Sequence, residues 1–138
     1  MRVLFDINVL LDVLLRREGL VQESARLLNT VEAQQVSGLL CATSVTTIHY
    51  LVARHAGDAM AKRSVELLLQ LFEVAPVGRA VLEDALQLEF GDFENAVQHE
   101  AARHAGTDTI VTRNTKDFGN VTLSVFAPAE LLRVLRDL

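Results

Sequence analysis

The sequence predicts an α/β fold, a mostly parallel central sheet with helices on both faces, and three observations carry that prediction. Short apolar runs alternate with longer stretches of helical period along the 138 residues, the pattern of strands joined by crossover helices. Half of the residues are hydrophobic, ample for a continuous core at a length that suits one domain, so residues 1–138 are read as a single domain. Polar residues follow the first and fourth apolar runs, and in such sheets ligands gather beyond the carboxyl ends of the strands, where strand order reverses. A site is therefore expected where strands one and four lie side by side.

Taken in order, "RVLF" at 2–5 is a short strand, after which Leu10, Leu11 and Leu14 recur at helical spacing. Gly19 interrupts, and residues 21–34 form an amphipathic helix with Leu27, Leu28 and Val31 on one face. "VSGLLCA" at 36–42 is the second strand. Thr43 or Ser44 is placed to cap a helix over 45–56 that Gly57 ends, and Asp58 to cap another over 59–72. "FEVAPV" at 72–77 is a third strand and 79–90 a helix. Gly91 breaks that helix, and Asp92 caps one that runs to Gly106. "DTIVT" at 108–112 is the fourth strand, 113–120 a polar loop, "VTLSVF" at 121–126 the fifth strand, and Pro128 opens the last helix.

Composition narrows the function classes. A formal charge of -5 argues against a protein that coats nucleic acid, whose affinity would come from Lys and Arg neutralising phosphates, but leaves room for a local basic patch. The N-terminus lacks the pattern of a signal peptide and no uncharged run approaches the ~20 residues that span a bilayer, so a cytoplasmic protein without membrane attachment is expected. The one cysteine, Cys41, has no partner for a disulfide or a thiolate site and is read as a small core residue.

The opening stretch "VLFDINVLLDVLL" carries Asp6 and Asp12 in strongly apolar surroundings. A buried carboxylate needs a partner. Asp6 is either the N-cap of the first helix or an oxygen ligand for a hard cation. Asp12 lies six residues on, a turn of ~600°, and is assigned to the solvated face. The histidines do not make a zincin site, because His99 and His104 are five apart where that site needs four. Glu83 and Asp84 are read as a solvated helix face.

Four segments, "LFDINVLLDVLL" at 4–15, "ATSVTTIHYLV" at 42–52, "DFENAVQHEAARHAGTDTIVTRNTKDF" at 92–118 and the closing "VFAPAELL", together resemble the PIN-domain family, the nuclease fold of the VapC toxins. The resemblance implies a five-stranded parallel sheet, acids that bind Mg²⁺ or Mn²⁺, and hydrolysis of RNA phosphodiester bonds. It also implies an antitoxin partner of a type II toxin-antitoxin system and a homodimer. Asp6 matches the first family acid and Asn8 its polar companion. The other three acidic positions fall on Thr47, Asn95 and Asn114. Asp92, three residues before Asn95, shares a helix face with it and is placed to supply the missing carboxylate, whereas Glu94 lies about 100° away. Asp117 follows three residues after Asn114. Asp92, Asn114 and Asp117 are equally explained as caps and an Asx turn.

Asp6, Asp92 and Asp117 thus form a reduced ligand set, suited to one Mg²⁺ that keeps several waters rather than to two ions ~4 Å apart. Arg113 and Lys116 are placed to touch phosphates, or are simply solvated. Two functions follow: a metal-dependent endoribonuclease, or a catalytically degenerate PIN domain that binds RNA or protein. A phosphoacceptor domain of receiver type is a distant third, since a later central Asp and a Lys near the last strand are not in position.

Overall fold

The computed structural model describes residues 1–107, 109–118 and 123–137. Its elements follow the order β1 (Arg2–Phe5), α1 (Ile7–Leu14), α2 (Val21–Glu32), β2 (Ser37–Cys41), α3 (Ala42–Ala56), α4 (Asp58–Leu71), β3 (Glu73–Ala75), α5 (Arg79–Leu86), α6 (Phe93–His104), β4 (Thr109–Val111), β5 (Ser124–Phe126) and α7 (Pro128–Arg136). Asp108, expected in strand four, and residues 119–122, which include the start of the expected fifth strand, lie outside the described residues.

All four strand pairings are parallel, in the order β3-β2-β1-β4-β5. The chain builds outward from β1 to β3, then returns to the other side of β1 for β4. Strand order therefore reverses between β1 and β4, where Leu4 faces Ile110 and Phe5 faces Val111. The pleat sends alternate residues to opposite faces. Val3, Phe5, Leu40 and Val111 enter one core with Leu10, Leu27, Ile48, Leu68 and Leu131 of the helices. Leu4, Leu39, Cys41 and Ile110 enter a second core with α5 and α6, through Val81, Ala85, Val97 and Ala101. Each fully buried Leu contributes about 1.5–3 kcal/mol over an exposed one. Gly38 is where β2 passes beneath a ring: a Cβ there would lie 2.5 Å from Cε1 of Phe72.

Several boundaries differ from the periodicity. Helix α3 starts at Ala42, so Thr43 and Ser44 sit inside its first turn; the extended backbone of Cys41 ends β2 and is itself the N-cap. Gly57, with φ of 93° that favours glycine, ends α3 and caps α4, which leaves Asp58 as the first helical residue. Helix α5 stops at Leu86 rather than at 90, and Phe90 packs against Phe118 and His99 with ring centroids 5.7 and 5.8 Å apart. The polar loop contains a 3₁₀ turn, Thr115–Phe118, pinned by the buried Phe118. Pro128 does open α7 at its first turn. Among the described residues no helix is long and apolar enough to cross a membrane.

Candidate active site

Asp6 ends β1 at the point where strand order reverses, with its N–H donating to the carbonyl of Val111 at 2.9 Å. It holds the N-cap position of α1, but its side chain makes no capping hydrogen bond. The carboxylate turns inward, where Thr112 Oγ1 donates to Oδ2 at 2.9 Å and Gln98 Nε2 to Oδ1 at 3.1 Å. Only 3% of the residue is exposed. Burial raises its carboxyl above the usual range, against the opposing pull of the Thr112 and Gln98 hydrogen bonds, the Ile7 N–H and the Arg113 charge.

Helix α6 delivers the facing wall. Asp92 is its N-cap and accepts from the Glu94 N–H at 2.8 Å, so one carboxylate oxygen is committed to the helix. Asn95 reaches the site, its Oδ1 accepting from Gln98 Nε2 at 3.5 Å. Glu94 is raised by burial first, then by the like charges of Asp92 and Asp6. Its Oε1 is buried without a hydrogen-bond partner among the described residues, as is Oε1 of Gln98. Glu94, assigned by helical angle to a weaker direction, therefore sits within electrostatic reach of Asp6. Two acids and two unpartnered acceptor oxygens here have no Lys or Arg in contact with them among the described residues, and such oxygens are the donors that a hard divalent ion takes.

The loop after β4 supplies the third wall. Asn114 is exposed, with its N–H donating to Thr112 Oγ1 at 3.1 Å, one bond removed from Asp6. Asp117 and Lys116 are exposed on the 3₁₀ turn, and Asp117 is tied to Asn114 by its N–H, 3.0 Å from the carbonyl. Asp6, Asp92 and Asp117 do not bring three ligand atoms within 4.8 Å of one another. Asn8 is half-buried in the first turn of α1, and Thr47 Oγ1 donates to the Thr43 carbonyl at 3.4 Å within α3.

Asp12 corrects the reading of the first helix. It does not face water: its exposure is 0%. Arg113 Nε lies 2.8 Å from Oδ2, a close pairing of charges without hydrogen-bond alignment, while Arg17 and Ser24 reach the carboxylate at 3.4 Å. A helical angle counted from Asp6 excludes convergence on Asp6, correctly, but says nothing of a partner arriving from another strand. Arg113, expected at a phosphate, is thus held at its Nε by Asp12 while its charge is felt at Asp6.

A family model described as PIN domain matches residues 2–116. The chain belongs to the PIN domain family. A relative named Ribonuclease VapC1, from Aquifex aeolicus (strain VF5), is 24% identical to this PIN domain over 134 residues, covering 94% of this chain and 92% of the relative. Among solved structures, VapBC2 from Rickettsia felis bound to a DNA fragment from its promoter matches with a TM-score of 0.71 at 13% identity, covering 91% of this chain and 97% of that one. A toxin-antitoxin complex from Klebsiella pneumoniae matches at 0.69 and 21% identity, covering 91% and 97%. These two likenesses establish the fold of this PIN domain.

Gln98 and Thr112 are site residues that the sequence reading does not single out. Gln98 is within reach of the spacing, being three residues after Asn95 on one helix face. Thr112 is the residue before Arg113 at the end of strand four, and only the pairing of β1 with β4 gives it a role.

Proposed function

We propose that this PIN domain is a metal-dependent endoribonuclease of the VapC toxin type, hydrolysing RNA phosphodiester bonds in the cytoplasm. The observation that carries the reading is the pairing of buried Asp6 with half-buried Glu94, whose Oε1 is buried and unpartnered, both raised by burial with no basic side chain in contact among the described residues. Family membership and the relative named Ribonuclease VapC1 support the reaction class. The oxygen-only donors fit one Mg²⁺ or Mn²⁺, which Asp6 and Glu94 would hold, with Asp92 and Asp117 as further carboxylates of the proposed site. Such an ion supplies Lewis-acid polarisation of the phosphoryl group and a more acidic water.

The chain's own residues do the rest. Thr112 and Gln98 fix the rotamer of Asp6, so the carboxylate needs no reorganisation when a cation arrives. Glu94 would hold the ion through Oε1 and leave its other carboxylate oxygen to accept a proton from the attacking water. Arg113, anchored at Nε, keeps its terminal nitrogens for a phosphate, and Lys116, Asn114, Asn95, Asn8 and Thr47 are proposed as further contacts to the ion or the RNA. An antitoxin is proposed as the inhibitor, supported by the toxin-antitoxin complexes among the structural matches. A homodimer is proposed as the working form, supported by the exposed Tyr50, Met60 and Leu67 of α3 and α4.

A second reading, a PIN fold kept for binding without catalysis, is favoured by the lack of a three-carboxylate cluster among the described residues. Calorimetry of Mn²⁺ binding, run beside cleavage of a mixed structured RNA pool, separates the two. The nuclease reading expects binding and cleavage in the wild type and neither in Asp6→Ala. No binding at millimolar Mn²⁺ and no cleavage would sink it.

A further inference from the structure

The acidic chain carries an arginine-lined groove between α2 and α7. One cavity of about 340 Å³ opens at the rim of the site, among Asp12, Ser24, Arg113, Asn114 and Pro128. A second of about 270 Å³ lies further along the same two helices, among Arg26, Leu132, Arg133 and Arg136. Glu23 lines both. At 1.5 Å per residue, α7 carries the groove roughly 12 Å from Pro128 to Arg136.

The charge balance of the groove opposes that of the chain. Arg26, Arg133 and Arg136 are exposed and have no ion-pair partner among the described residues. Of the two acids, Asp12 is already matched by Arg17 and Arg113, which leaves Glu23 as the opposing charge. Arg133 and Arg136 are three apart and share a helix face. Guanidinium groups spaced along a groove that starts at the Arg113–Asn114 loop match a negatively charged polymer, and their planar forks suit phosphate oxygens.

We propose that the α2–α7 groove is the track on which the phosphate backbone of single-stranded RNA enters or leaves the Asp6 site, with Arg113 as its inner contact and Arg26, Arg133 and Arg136 as its outer ones. The proposal rests on the ribonuclease reading for its substrate class. The track explains how a chain of net charge -5 holds RNA beside an acidic site: repulsion at the carboxylates is offset by contacts beyond them.

The test is fluorescence anisotropy with a labelled twelve-nucleotide single-stranded RNA in EDTA, so that binding is read without cleavage, over a range of salt. Arg133→Gln combined with Arg136→Gln is expected to weaken binding about tenfold and to flatten the slope of log K against log salt by about 0.7 for each phosphate left without its arginine. Arg26→Gln, on the other helix, gives the same direction if the α7 variant melts early. Glu23→Gln is expected to tighten binding. Unchanged affinity and slope in the arginine variants overturn the proposal. So does a decaglutamate peptide that binds through these arginines while RNA binding ignores them, which makes the groove a protein-docking surface. Cleavage of the same RNA with Mn²⁺ is scored separately. Arginine-dependent binding without cleavage keeps the track and sinks the nuclease reading, and cleavage with arginine-independent binding does the reverse.

Discussion

Helix α6 meets two buried carboxylates, and they are treated in opposite ways. Near its start, Asp6 and the adjacent Glu94 are both raised, and no basic side chain touches either among the described residues. Near its end, Glu100 is 3% exposed, as buried as Asp6, yet its carboxyl is held below the usual range. There burial pushes up, but hydrogen bonds from Arg103 and His99 and their charges outweigh it. Arg103 Nη2 bridges Glu100 and Asp84 at 2.9 Å each, and His104 closes on Asp84 at 2.7 Å. Asp84, Glu100 and His104 have the look of a metal triad, but Arg103 already supplies the cation. The contrast is between ligand spacing and unmet charge: the better-shaped cluster is neutralised by Arg103 and staples α5 to α6, whereas the looser one around Asp6 keeps its charge unmet and is the proposed site.

The largest test of that contrast is Asp6→Asn. It removes a charge whose burial the Thr112 and Gln98 hydrogen bonds and Arg113 offset only in part, so the melting temperature should rise while RNA cleavage falls about 10³-fold or more, the several kcal/mol expected of lost metal catalysis. The shape is kept, since Thr112 still donates to the amide oxygen and the unpartnered Gln98 Oε1 can turn to accept its N–H. A variant that lost stability along with activity would make Asp6 a structural acid.

Glu100→Ala should do the opposite, costing about 2 kcal/mol with Mn²⁺-dependent cleavage intact, because buried His99 loses its 2.7 Å bond to Glu100. The pH dependence carries opposite signs. A lowered carboxyl such as Glu100 binds fewer protons folded than unfolded, so its stabilisation is present above the ordinary carboxylate range and is lost as pH falls through the folded value. Raised carboxyls such as Asp6 and Glu94 bind more protons folded, so stability declines as pH rises from the ordinary values towards the folded ones. Urea melts from pH 3 to 7 check this: Glu100→Ala flattens the acid limb, and Asp6→Asn flattens the decline above it.

The sequence was most readable where a signal is local. β1, Pro128 at the first turn of α7, Gly57 as a cap, and Asp92 as an N-cap all follow from neighbouring residues, and each stands as expected. The alternation of runs pointed to the parallel sandwich, and the apolar pattern put Cys41 in the core. What failed depended on partners distant in the chain. Asp12 is held by Arg113 from beyond strand four, and Gln98 reaches Asp6 across 92 positions. Asp84, read as solvated, is turned to α6 by Arg103 and His104. For Asp12 and Asp84 a helical wheel described the element's own faces, and in all three cases the deciding partner came from another element.

The smallest effect is the most direct probe of where a cation goes. Any ligand that binds only the folded protein raises its stability by RT ln(1 + [L]/Kd), about 1.4 kcal/mol at ten times Kd. Mn²⁺ should therefore lift the melting temperature of the wild type, and lift it less in Glu94→Gln, where one of two nearby carboxylates is gone. In Asp84→Asn or His104→Gln the lift should be unchanged, although the baseline is lower, because Arg103 excludes a cation from that cluster. Equal lifts in Asp6→Asn and the wild type, with a lost lift in Asp84→Asn, would move the metal to the end of α6. They would show that a competing guanidinium is no bar to a well-spaced triad. The opposite result makes unmet charge the better guide to a cation site in this fold, since Asp6 and Glu94 gain from a divalent ion what Glu100 already receives from Arg103.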